Sequence, residues 1–252
     1  MKDKSNRLFY ILGAFFLANA ILAEFIGVKV FSLEGTLKIP PANFNLFGFD
    51  GLSFNLSAGV LLWPVVFIMT DIINEYFGRK GVRFLSFTAA GLILYAFIMV
   101  YFAMNLKPAD FWILRETVNG TLNMDYAFNA VFGQGLWIIV GSLTAFLVGQ
   151  LVDVTVFHLV KAKTGSKKIW LRATGSTLVS QFIDSFVVLF IAFYIGAGWS
   201  LKLVIAIGIM NYTYKFLIAV GLTPLLYLIH YIIDLYLGKE LAHKLMNEAT
   251  EK

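Results

Sequence analysis

Apolar residues fall into six long blocks along this chain, at residues 8–30, 54–77, 82–104, 136–160, 174–199 and 201–237. At about 1.5 Å of rise per residue, each block as a helix is long enough to cross a hydrocarbon layer of ~30 Å. The pattern predicts six transmembrane helices. The last block exceeds one crossing, and Gly221 and Pro224 offer a break point inside it. Beyond the break, Tyr227, His230, Tyr231, Asp234 and Tyr236 suit a helix lying at the membrane surface. A seventh crossing by residues 224–237 is the alternative. The first block follows Lys2, Lys4 and Arg7 and contains Ala18-Asn19-Ala20, which has the small-x-small form of a cleavage site. Its apolar run is too long for a signal core, so it is read as an uncleaved helix.

Polar residues interrupt these blocks at helical spacing. Asp71, Asn74 and Glu75 share one stripe of the second block, Gln150 and Asp153 one stripe of the fourth. Thr177, Gln181, Asp184 and Ser185 do so on the fifth, and Asn211, Tyr214 and Lys215 on the sixth. The sequence Val148-Gly149-Gln150-Leu151-Val152-Asp153 returns as Val179-Ser180-Gln181-Phe182-Ile183-Asp184. Each copy sets an amide and a carboxylate one turn apart on the same face. A carboxylate at the centre of a membrane helix costs about 2.5–3.5 kcal/mol. Counting residues inward from the flanking basic loops puts all four stripes at similar depth, between the midplane and the cytoplasmic third. Polar contacts between membrane helices for packing alone are the bland reading, worth about 0.6–2 kcal/mol each. They do not explain the shared depth or the surplus of acids over the single Lys215. A buried carboxylate without a cation must be protonated, hydrated or bound to a ligand's donor.

Composition and charge sharpen this picture. The chain of 252 residues is 59% hydrophobic and 14% charged, with mean hydropathy +0.79. It reads as one membrane domain over residues 1–252, with no separate soluble domain. Basic residues cluster in alternate loops: Lys2, Lys4 and Arg7; then Arg79, Lys80 and Arg83; then Lys161, Lys163, Lys167, Lys168 and Arg172; then Lys239, Lys244 and Lys252. The remaining loops carry Glu34, Asp50, Asp110, Glu116 and Asp125. By the positive-inside rule both termini are cytoplasmic, residues 1–7 and 238–252, and loops 31–53 and 105–134 face outward. The net charge of +5 sits beside the spans and is not a nucleic-acid footprint. Cysteine is absent, and no His or carboxylate spacing suggests a metal site. Gly141-Ser142 and Gly175-Ser176 lack an intramembrane His at matching depth, which argues against an intramembrane protease. His158 is read as solvated, His230 as interfacial, and Asp71 and Glu75 as within reach of Arg79 and Lys80.

The ordered motifs Thr70-Asp71-x-x-x-Glu75-x-Phe77-Gly78, Gly149-Gln150-x-x-Asp153-x-x-x-Phe157, Ser176-Thr177-x-x-x-Gln181-x-x-Asp184-Ser185 and Asn211-Tyr212-x-Tyr214-Lys215 resemble the queuosine precursor transporter family. These proteins have also been grouped as vitamin-uptake-like transporters. The resemblance implies a six-helix fold similar to the substrate-binding subunits of energy-coupling-factor vitamin importers, in the bacterial cytoplasmic (inner) membrane. It implies uptake of a purine-like base: 7-cyano-7-deazaguanine, 7-aminomethyl-7-deazaguanine or queuine. No enzyme activity, cofactor or ATP-driven coupling module is implied; a homo-oligomer stays open. On this reading Asp71, Asn74, Glu75, Gln150, Asp153, Gln181, Asp184, Asn211, Tyr214 and Lys215 form the substrate site. A guanine-type edge presents two N–H donors beside a carbonyl, so Asp153 or Asp184 would accept from the donors. Gln150, Gln181, Asn211 or Lys215 would donate to the carbonyl, and Tyr212, Tyr214 or Phe157 would stack on the ring. The surplus acids would host an ammonium group or a coupling proton. A substrate-binding subunit of an ATP-driven importer and an intramembrane enzyme are the competing readings.

Overall fold

The computed structural model describes residues 2–118, 120–133, 135–164 and 169–251. Lys167, Lys168 and Lys252 of the basic loop and tail lie outside the described residues. Helix α1, Lys2–Ile26, buries Leu8, Leu12, Phe16, Ala20 and Ala23 along one face. It stops four residues short of the expected end at residue 30. Val30–Ser32 is instead strand β1, paired antiparallel with β4, Asn55–Ser57. Between them lie a helical turn, α2 (Leu33–Leu37), and the hairpin of β2 (Phe44–Leu46) and β3 (Phe49–Leu52). Phe47 and Gly48 both have positive φ, as a tight hairpin turn demands. The Ser57 hydroxyl donates to the Gly27 carbonyl at 2.7 Å and accepts from the Gly59 amide, tying this loop to the end of α1. The apolar residues 54–62 therefore belong to a strand and a short 3-10 turn, Ala58–Leu61, and not to the second helix, which opens at Trp63.

Helix α3 covers Trp63–Met104, with one non-helical residue, Gly78 (φ 70, ψ −172). The chain reverses there. Thr70 and Ser86, each eight residues from Gly78, both donate to the Gln150 side-chain oxygen, at 3.0 and 3.4 Å. In an unbroken helix they would stand roughly 24 Å apart. Arms 63–77 and 79–104 are thus an antiparallel pair. A short helix α4 (Asp110–Ile113), a hairpin of β5 (Leu114–Thr117) and β6 (Gly120–Asn123), and helix α5 (Met124–Phe132) follow.

Helices α6 (Leu136–Thr164) and α7 (Ile169–Leu189) pack antiparallel along their length. Small residues permit the approach: a Cβ on Gly141 would meet the backbone of Val188 and Ala192, and one on Gly149 would touch the Asp184 side chain. The repeated Gln-x-x-Asp stretches therefore lie side by side, running in opposite directions. Helix α7 widens into a π-helical segment at Phe190–Ile195. Helix α8, Leu201–Gly221, opens on a Ser200 cap and closes at the expected break. Helix α9, Thr223–Leu237, begins with Pro224 in its first turn, where the missing N–H costs nothing. The tail is an amphipathic helix, α10 (Lys239–Glu251), laid against the Gly78 turn.

Both ends of α9 stay near that turn. Thr223 bonds to Thr174 at 3.0 Å, and Tyr76 donates to Asp234 at 2.7 Å. The Tyr236 carbonyl accepts from Lys4. Five helical stretches among the described residues are long and apolar enough to cross a membrane: Asp3–Ile26, Trp63–Met104, Met124–Thr164, Trp170–Ile195 and Leu201–Gly221. The second of these contains the reversal at Gly78.

Candidate functional site

The 63–77 arm of α3 and helix α7 run antiparallel, which sets Glu75 against Arg172 and Asp71 against Thr177. Nearest the Gly78 turn, Arg172 donates to both oxygens of Glu75, at 3.0 and 2.7 Å. Lys161 of α6 stands 3.4 Å from the same carboxylate and donates to the Met246 carbonyl of α10. The Phe157 ring lies 5.9 Å from the Arg172 guanidinium, within cation–π range. Glu75 is therefore neutralised by Arg172 and Lys161 and not by Arg79 or Lys80. Both basic residues are buried inside the bundle, where the loop-charge pattern had placed them in solvent.

One turn further along, Thr177 donates to Asp71 at 3.2 Å, and Ser180 donates to Asp153 at 3.2 Å. The other oxygen of each carboxylate has no hydrogen-bond partner among the described residues. The same is true of both amide atoms of Asn74, Gln150 Nε2, Gln181 Oε1 and Ser185 Oγ. Native interiors rarely leave so many buried polar atoms unpaired in one region. Furthest from the Gly78 turn, Lys215 donates to Asp184 at 2.6 Å. The sequence had left open which aspartate Lys215 would meet.

A narrow cavity, part of it open to the outside, lies between the 63–77 arm, α7, α8 and the start of α9. Asp71, Thr177, Gln181 and Lys215 supply its polar wall; Trp63 and Phe67 supply flat apolar surface. Of the residues expected to form the site, Asp71, Gln181 and Lys215 line this cavity. Asp184 anchors Lys215. Asn74, Gln150 and Asp153 are buried but do not line it, and Glu75 is committed to its ion pair. Asn211 is half-buried on α8 away from the lining. Tyr214 packs with Leu56 and Val60 beneath the 55–61 segment. Tyr212 sits edge-on to Phe182, so the three rings expected to stack on a ligand all face protein groups. The aromatic rings that do line the cavity are Trp63, 5.5 Å from Phe146, and Phe67. The Trp63-Pro64 pair that starts a helix was the one sequence signal for Trp63.

Two histidines also depart from expectation. His158 is buried with Nε2 unpartnered, and His230 Nδ1 lies 3.1 Å from the Tyr76 hydroxyl.

Residues 57–229, more than half of the chain and all of the cavity lining, match the family described as "Putative vitamin uptake transporter". The chain belongs to this family. Three curated relatives agree with the assignment. A "Probable queuosine precursor transporter" of Bacillus subtilis (strain 168) is 28% identical over 180 residues, covering 69% of this chain and 72% of the relative. A protein of the same name from Haemophilus influenzae is 26% identical over 224 residues, covering 86% and 84%. The "Queuosine precursor transporter" of Escherichia coli (strain K12) is 25% identical over 178 residues, covering 67% and 70%. No solved structure matches the chain. A vitamin uptake transporter needs a polar site reached within an apolar, multi-pass bundle. The cavity between α3, α7 and α8 is a hollow with a polar wall inside such a bundle.

Proposed function

We propose that this chain imports 7-deazaguanine bases used to make queuosine, and that the cavity beside Asp71 is where they bind. The bases are 7-cyano-7-deazaguanine, its aminomethyl relative or queuine. One observation carries the reading: a buried carboxylate with an unpartnered oxygen, Asp71, shares a cavity with a cationic donor, Lys215, and flat rings. Asp71 accepts from the two adjacent N–H groups of the guanine-type edge. Lys215 donates to the ring carbonyl, and Gln181 supplies a further polar contact. Trp63 or Phe67 stacks on the base. The acceptor role passes from Asp153 and Asp184 to Asp71, because Asp153 lies behind the cavity and Asp184 is occupied by Lys215.

The single domain crosses the bacterial cytoplasmic membrane six times, the two arms of α3 making separate crossings. The Gly78 end then faces the cytoplasm together with both termini, and α9 lies along that surface. The carrier works without an ATP-driven module, and its fold is akin to the substrate-binding subunits of energy-coupling-factor importers.

The test uses a strain unable to make the precursors and lacking energy-coupling-factor modules. It expresses this chain and is offered each base at limiting concentration, with queuosine in transfer RNA as the readout. Uptake by the wild type and its loss in Asp71→Ala and Asp184→Ala, with both variants present in the membrane, is the expected result. Normal uptake by the Asp71 variant removes the cavity from the mechanism.

A further inference from the structure

Besides Glu24, which bonds to Ser142, the carboxylates on the facing helices of this bundle divide into two kinds. Glu75 has Arg172 and Lys161; Asp184 has Lys215. Asp71 and Asp153 have only hydroxyls. Their donors, Thr177 and Ser180, are three residues apart on one face of α7, about 5–6 Å between Cβ atoms. The two carboxylates are therefore close neighbours and act on one another electrostatically. Both side chains are at least nine-tenths buried, and each keeps one oxygen without a partner. Gln181, equally buried, lines the same cavity with its Oε1 unpartnered. Two buried negative charges this close, with no cation between them, do not coexist; one holds a proton.

The cavity then decides which one. Asp71 lines it and Asp153 does not. A ligand that brings N–H donors to Asp71 stabilises the ionised form of Asp71. Through their mutual repulsion, it moves the shared proton demand onto Asp153. Linkage is reciprocal, so a proton on Asp153 tightens ligand binding at Asp71 by the same factor.

We propose that Asp153 is a proton carrier coupled to the Asp71 cavity, so that each base enters together with a proton taken from outside and released inside. The proton binds the free carboxylate oxygen of Asp153 and leaves it again; no bond in the base changes. This rests on the reading of the cavity as the base site. A proton fits better than a metal ion. The Thr177 hydroxyl donates to Asp71, the Ser180 hydroxyl shares its one hydrogen between Asp153 and the Thr177 carbonyl, and among the described residues no three acidic or histidine side chains converge as ligands. The other titratable or charged groups around the pair are Glu24 on α1, Glu75 on α3, His158 and Lys161 on α6, Arg172 and Asp184 on α7, and Lys215 on α8. Glu24 bonds to Ser142, and the rest are joined in the ion pairs above, except His158.

The experiment is calorimetric titration of the purified full chain with 7-cyano-7-deazaguanine in buffers of different ionisation enthalpy, paired with uptake into proteoliposomes under imposed gradients. Where the free pair keeps its shared proton, binding should only move that proton onto Asp153 and leave the count unchanged. At a pH high enough to strip the pair, the wild type should take up about one proton per base bound and bind more weakly, as linkage requires. It should accumulate base when the outside is acidic. Asp153→Asn, which fixes the neutral form, should bind base and exchange it across the membrane. It should take up no proton and lose gradient-driven accumulation. His158→Gln should behave as the wild type. Binding whose affinity and proton count do not change across the whole pH range overturns the coupling and leaves the base site standing; no binding at all overturns both. Full accumulation by Asp153→Asn, or accumulation driven by sodium at equal pH, also overturns it. The wild-type proton count is decisive even where a variant fails to fold.

Discussion

Arg172 grips both oxygens of Glu75 with neither side chain open to solvent, and Lys161 completes the group. Removing one member of a buried pair strands the other charge, at a cost of about 3–5 kcal/mol. Arg172→Met and Glu75→Gln should each lower the melting temperature in detergent and the amount of chain recovered from membranes. The double variant should be less destabilised than the sum of the single ones, because neither charge is stranded. A double-mutant cycle by thermal denaturation reads the coupling; additivity would mean the pair is not formed.

Gly78 occupies backbone space open to glycine alone, and a Cβ there would lie 2.9 Å from the Ala249 carbonyl oxygen. Gly78→Ala should cost about 1–3 kcal/mol from backbone strain, and more if α10 cannot shift. Limited proteolysis should then cut within residues 239–251 sooner than in the wild type. Equal cutting rates would show that α10 does not depend on the turn.

Lys215 is the cavity's cation, held by Asp184 at 2.6 Å. Lys215→Met should weaken binding of 7-cyano-7-deazaguanine at least tenfold, about 1.4 kcal/mol. Asp184→Asn should weaken it less, since the ammonium remains but loses its anchor. Titration calorimetry on both variants gives the order, and the reverse order would assign the direct contact to Asp184.

Glu34 lies outside the spans, in the loop joining α1 to α3. The Phe54 amide donates to it at 2.9 Å, and the Ala42 amide and Ser32 hydroxyl add to the hold. These bonds favour the ionised form and keep the carboxyl below its ordinary value of 4.5. A depressed folded-state value means that the stabilisation is complete above 4.5 and is lost as pH falls through the lower folded value. Hydrogen exchange at the Phe54 amide should therefore stay slow at neutral pH and quicken in acid. In Glu34→Gln it should be fast at both.

The chain has no cysteine, so single cysteines report topology without further engineering. Lys38→Cys and His243→Cys should react with a membrane-impermeant maleimide from opposite sides of sealed cells: residue 38 from outside, residue 243 only after lysis. Labelling of both from outside would remove the six-crossing arrangement.

Much of this was legible before any coordinates. The shared depth of the polar stripes singled out Asp71, Gln181 and Lys215, which do meet at one cavity, and Gly221-x-x-Pro224 marked the α8–α9 break. Periodicity along one helix reveals such faces because it is local. The partners were not local. Arg172 and Lys161 looked like ordinary loop-flanking charges until α3 and α7 brought Glu75 against them. The apolar stretch before Trp63 read as helix because strand and 3-10 residues in a membrane protein are equally greasy. Trp63 stayed hidden, since nothing in a sequence tells a ring facing lipid from one facing a hollow.

Gln150 has one carbonyl oxygen, and both arms of α3 spend a hydroxyl on it. Sliding either arm past the other would break one of those bonds in a place where water cannot replace it. The hairpin consequently behaves as a single riveted lever. Any movement of this lever must carry α6 with it at Gln150 or break one of the two bonds.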